Sequence, residues 1–132
     1  MKEYLLDTNA FLRYVLNDIP KQADEVTEVF THAKKGEVGV TVPIVVFLEA
    51  TYVLQKVYGY ARSVVKEQCG LFFAIPSLRI PDRYIIRDAY ATWMEHPGVS
   101  FADAVLLHTA RLGGKELLTF DRKLKRLALT NK

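Results

Sequence analysis

Tyr4-Leu5-Leu6-Asp7-Thr8-Asn9-Ala10-Phe11-Leu12-Arg13-Tyr14-Val15-Leu16 decides the class of the fold, because its apolar period changes at Asp7. Tyr4, Leu5 and Leu6 form a short unbroken apolar run of the kind that a buried strand carries, whereas Phe11, Leu12, Val15 and Leu16 fall on one face of a helix. The segment therefore reads as strand then helix, with an acid at the junction. The alternation repeats outward from there. Pro20 opens a helix with Ala23, Val26, Val29, Phe30 and Ala33 on one face, Gly36 stops it, and residues 38–42 read as a strand. Pro43 begins a long apolar helix to about Tyr58, Gly59 breaks it, and residues 61–74 form another. Residues 78–80 are a short strand closed by Pro81, and residues 82–95 are helical. His96-Pro97-Gly98 makes a turn, Ser100 caps a helix over 101–112, and Gly113-Gly114 ends it. Leu117-Leu118-Thr119 reads as a last short buried strand before a terminal helix over about 122–128. Short apolar strands alternating with helices imply an α/β/α sandwich, a short parallel sheet flanked by helices.

Length and composition bound what such a fold can be. The 132 residues, half of them hydrophobic and a quarter charged, suit one domain over 1–132, with no linker, repeat or low-complexity run. The single cysteine, Cys69, cannot form an intramolecular disulfide, and no Cys or His pair has zinc-finger or redox spacing. Lys2, Glu3 and Asp7 leave no apolar core for a secretory signal, and the longest apolar stretch, 42–54, holds Glu49 and is too short for a membrane span. The expectation is a cytoplasmic protein. Net charge is +3, a weak pointer to polyanions. The C-terminal run is more pointed, since Arg122, Lys123, Lys125, Arg126 and Lys132 come with no acid after Asp121.

Four carboxylates stand where chemistry rather than solubility explains them. Ligands of parallel α/β sheets bind beyond the carboxyl ends of the strands, and Asp7 and Asp121 both follow a strand in this reading. Glu49 interrupts a helix that is apolar almost all round and so is expected to be internal, with no basic residue a turn away on either side. Asp103 repeats the pattern one turn into its helix, where the helix N-terminus offers a plainer explanation. If the four acids converge, they need a cation to stay ionised together. Oxygen-only ligands select Mg²⁺ or Mn²⁺ over zinc. Without the four acids the rest of the chain carries +7, so an acidic pocket in a basic surround suits a metal-dependent enzyme acting on a polyanion.

These motifs carry a resemblance. Leu6-Asp7-Thr8-Asn9 after the first strand, Phe47-Leu48-Glu49 in a central helix, Ser100-Phe101-Ala102-Asp103-Ala104 at a helix start and Thr119-Phe120-Asp121 after the last strand resemble the PIN domain family over the whole chain, and within it the VapC-type ribonuclease toxins of prokaryotic toxin–antitoxin pairs. The resemblance implies that Asp7, Glu49, Asp103 and Asp121 are catalytic metal ligands and that Thr8, Asn9 and Thr119 support them. It implies an endoribonuclease in which a metal-activated water attacks an RNA phosphodiester, a homodimer, and a small antitoxin partner. The pattern departs at Ser100, where many relatives carry a further acid.

Other residues bear on substrate and partners. Arg13, Arg122 and Lys123 are candidate phosphate contacts, each set against a solvent-facing role. Tyr14, Tyr52, Tyr58, Tyr60 and Trp93 suit a core at least as well as base stacking. His108 is expected to be hydrogen-bonded rather than to share a metal with Asp103, and His32 and His96 to lie at the surface. The helices over 20–36 and 43–58 carry more apolar surface than one small domain buries, which independently favours association. Two other classes fit less well. A phosphatase of the haloacid dehalogenase type needs an acid where Asn9 stands, and a non-catalytic RNA-binding or scaffold module has no use for all four acids.

Overall fold

The computed structural model describes residues 1–130, which leaves Lys132 of the basic run outside the described residues. The chain forms two compact units, Met1–Arg83 and Tyr84–Lys132. The first holds a parallel three-stranded sheet of β1 (Lys2–Leu5), β2 (Val38–Thr41) and β3 (Leu78–Arg79) in that spatial order. Its register pairs Glu3 with Gly39 and Thr41 with Arg79. Gly39 is small for a reason visible in that register: a Cβ there would overlap the Glu3 carboxylate, which crosses β2 to receive a hydrogen bond from Arg79 Nη1.

Around this sheet the unit carries α1 (Thr8–Leu16), α2 (Pro20–Lys34), α3 (Ile44–Tyr52) and α4 (Arg62–Gly70). Proline and glycine set the boundaries as read from the sequence. Pro20 starts α2, and Gly36, at φ 76°, takes the left-handed turn that ends it. Beyond α3 the helix widens into a π turn over Val53–Val57, closed by the Tyr58 N–H on the Val53 carbonyl. The core is aromatic. The Phe72 ring stacks on Phe11 at 3.9 Å between centroids, and Phe47 meets Phe11 edge-on at 5.3 Å, so α1 and α3 are fixed through the same ring.

The second unit is helical: α5 (Arg83–Glu95), whose first residue belongs to the unit before, α6 (Phe101–Leu112) and α7 (Arg122–Ala128). Its core centres on Tyr90, Trp93 and Phe101, with Tyr90 and Phe101 stacked at 4.2 Å. Thr92 Oγ1 lies 2.7 Å from His108 Nε2, so this histidine is hydrogen-bonded as expected.

Three expectations are corrected. Leu117-Leu118-Thr119 is not a strand; Leu118 is 91 % and Phe120 94 % exposed. An apolar triplet becomes a strand only where a neighbour supplies its ladder partners, and its own unit has no strand among its described residues. The run at Tyr4 to Leu6 is not a buried strand either. The strand lies slightly earlier, as β1 at the sheet edge, and Leu5 is 72 % exposed. Finally, α3 is not internal. It buries Val46, Phe47, Ala50 and Thr51, while Val45, Glu49 and Tyr52, at i, i+4 and i+7, share an exposed face.

Candidate active site

Asp7 follows β1 and caps α1. Its extended backbone turns the chain into the helix, and its Oδ1 accepts a hydrogen bond from the Ala10 N–H at 2.8 Å. One residue on, Thr8 Oγ1 donates to Glu49 Oε1 at 2.7 Å. This bond joins residues 41 apart in sequence and holds the exposed Glu49 carboxylate over the start of α1. The first unit therefore brings Asp7, Thr8 and Glu49 together through α1 and α3. Asn9, in the first turn of α1, is exposed, and it is Asp7 rather than Asn9 that caps the helix.

The second unit carries the other two acids. Ser100 Oγ caps α6 by accepting from the Asp103 N–H at 3.1 Å, which puts Asp103, half-buried, in the first helical turn. Asp121 Oδ1 accepts from the Leu124 N–H at 2.9 Å and caps α7, while its own N–H donates to Thr119 Oγ1 at 3.1 Å. Thr119 thus supports Asp121 through its backbone. Three of the four acids stand at helix N-termini, where a carboxylate side chain is favourably placed for folding.

Electrostatically the four share one property. Neither Asp7, Glu49, Asp103 nor Asp121 forms an ion pair among the described residues, in a chain with 18 Lys and Arg. Within neither unit do three or more described His, Cys, Asp or Glu side chains form a group that could hold a metal. The donors present are nonetheless all hard oxygens, and Mg²⁺ is held by one or two carboxylates completed by water and phosphate. The donor chemistry fits that ion and gives no place to a soft metal.

The model of the PIN domain family matches residues 4–129, nearly the full chain and both of its units. The chain belongs to the PIN domain family. PIN domains are typically nucleases that use divalent metals such as Mg²⁺, so the general activity is phosphodiester hydrolysis. No curated protein matches the chain. As a PIN domain it shows the α/β class that its sequence implies, and no described helix is long and apolar enough to cross a membrane.

The candidate phosphate contacts are placed differently from one another. Arg13 is only 14 % exposed and its Nε lies 3.2 Å from Asp18 Oδ1, so its charge is already partnered. Arg122 and Lys123 are exposed on the first turn of α7. Arg126, which the sequence places in the same basic run, is exposed three residues after Lys123, and that spacing puts both on one helix face.

Proposed function

We propose that this PIN domain is an Mg²⁺- or Mn²⁺-dependent endoribonuclease and the toxin of a type II toxin–antitoxin pair. One observation carries the enzymatic part: Glu49 stands exposed between Val45 and Tyr52, held by the Thr8 hydroxyl, where nothing in the packing calls for a carboxylate. Asp7 and Glu49 are the candidate ligands of the first unit; the candidacy of Asp103 and Asp121 in the second rests on the likeness of their motifs to the family's. When bound, the ion supplies a more acidic water and neutralises charge on the scissile phosphate. The side chains orient. Asp7 and Asp121 each commit one oxygen to a backbone N–H, which fixes the direction of the other, and Thr8 limits the rotamers of Glu49. The finer toxin reading, with a small antitoxin in the cytoplasm, rests on the likeness of the four motifs to VapC-type enzymes. Homodimerisation is supported by exposed Val45, Tyr52 and Val57 on the third helix and its π turn.

The test is cleavage of total RNA with Mg²⁺, Mn²⁺ or EDTA by the wild type, Asp7→Asn and Glu49→Gln. Cleavage that needs the ion and is lost in both variants is expected. A wild type inert with both metals, or an Asp7→Asn protein as active as the wild type, refutes the proposal.

A further inference from the structure

The second unit holds a cavity of about 410 Å³ between the turn after α5 and one face of α7. Glu95, His96, Pro97 and Gly98 form one wall; Lys123 and Arg126 form the other. The turn is rigid, with Pro97 fixing one φ and the Val99 N–H closing onto the His96 carbonyl at 3.0 Å. Gly98 has a particular part in it. A Cβ there would lie 2.6 Å from Lys123 Nζ and 2.7 Å from its Cδ, so the missing side chain is the space in which the lysine lies flat across the turn. Neither Lys123 nor Arg126 has an ion-pair partner among the described residues. Lys125, by contrast, lines a separate cavity on the other side of α7.

We infer that this cavity is a subsite for one backbone phosphate of a single-stranded RNA, clamped between Lys123 and Arg126, with its nucleoside against the 96–98 turn. The charge selects the ligand. Two cations facing the Glu95 carboxylate leave one net positive charge, which matches a phosphodiester, whereas a nucleoside triphosphate would bring surplus negative charge onto Glu95. The inference deepens the ribonuclease reading and rests on it for the identity of the strand, but it concerns binding and involves none of the four acids.

The experiment measures anisotropy of an end-labelled oligouridine with the full chain in EDTA, across a series of KCl concentrations. Lys123→Ala and Arg126→Ala should each weaken binding about tenfold, the effect of losing one charged hydrogen bond. Each should also lower the log–log salt slope by about 0.7. Lys125→Ala removes the same charge from the opposite face and should change affinity by less than about twofold. Equal losses from all three charge removals would overturn the subsite. Binding that depends on the cavity in a protein that cleaves nothing refutes the nuclease reading alone. Cleavage by a protein whose variants all bind alike refutes the subsite alone.

Discussion

Thr8→Val is the substitution that most directly probes how the acids are held, since it keeps the shape of the side chain and removes only the hydroxyl bonded to Glu49 Oε1. Two quantities follow from that bond. Its contribution to folding is small, because Glu49 is exposed and water replaces the donor, so stability should fall by less than about 1 kcal/mol. Its contribution to metal binding is larger. A free glutamate loses roughly 1.5–2 kcal/mol of rotamer entropy when fixed, and Thr8 has already fixed part of it before the ion arrives. Losing that preorganisation, at most about 2 kcal/mol, corresponds to a fall of about 10-fold and no more than about 30-fold in affinity, within the usual range for a group that orients a ligand. Mn²⁺ titration by electron paramagnetic resonance reads the affinity, and urea unfolding of the same sample reads stability. Thr8→Ser keeps the donor and should bind as the wild type does. An unchanged Mn²⁺ affinity in Thr8→Val would show that the bond merely ties α1 to α3, and Glu49 would lose its supporting residue.

Three further expectations follow from the packing and the caps. Phe72→Ala removes the buried ring that stacks on Phe11 and should cost about 3–5 kcal/mol in urea unfolding; a loss below about 1 kcal/mol would mean the first unit is not organised around it. Asp121→Asn keeps the cap on the Leu124 N–H and should retain stability while losing metal-dependent cleavage, whereas Asp121→Ala should lose both, with about 1 kcal/mol of stability; an active Asp121→Asn enzyme would remove this acid from the chemistry. Burial holds the His108 imidazole below its ordinary pKa, against the pull of Asp88 and with the help of the Arg111 charge. The unfolded chain then takes up the proton first, so the contribution of His108 is complete above about pH 6.5 and is lost as pH falls through the depressed folded value. Urea midpoints followed from about pH 7.5 to pH 5 should drop more in the wild type than in His108→Gln; parallel curves would exclude the histidine as the cause.

What could be read from the sequence was what local chemistry decides. Pro20, Gly36, Gly59, Ser100 and Gly114 mark boundaries because a fixed φ, a left-handed turn or a side-chain cap acts within a few residues. The α7 limits were legible for the same reason, with Asp121 before the helix and no breaker inside it. The misreadings concern which neighbours a segment finds. Nothing within Leu117-Leu118-Thr119 tells whether a ladder partner stands beside it. The apolar run around Glu49 does not reveal that Val45 and Tyr52 are left in solvent with it. The bond between Thr8 and Glu49 spans 41 residues, and only the packing of α1 on α3 through Phe11 and Phe47 creates it. Gly98 read as a turn residue from its neighbours, yet its small size is used by a lysine 25 positions later.

The four acids differ in how much they say about function, and the caps explain why. An aspartate just before a helix is selected by folding alone, since its short side chain reaches the N–H groups of the first turn. Asp7 and Asp121 both do this, and Asp103 sits in a first turn where a carboxylate is favoured in any helix. Each would therefore occur in a protein without catalysis. Glu49 has no such excuse. It lies mid-helix, away from either terminus and unpaired with any cation among the described residues, and interrupts an apolar face that a neutral residue would extend. The residue that contributes least to the fold is thus the one whose presence argues most strongly for chemistry. The two caps, Asp7 and Asp121, gain their meaning from it, because a carboxylate that has given one oxygen to the backbone still has a second, held in direction, to offer an ion.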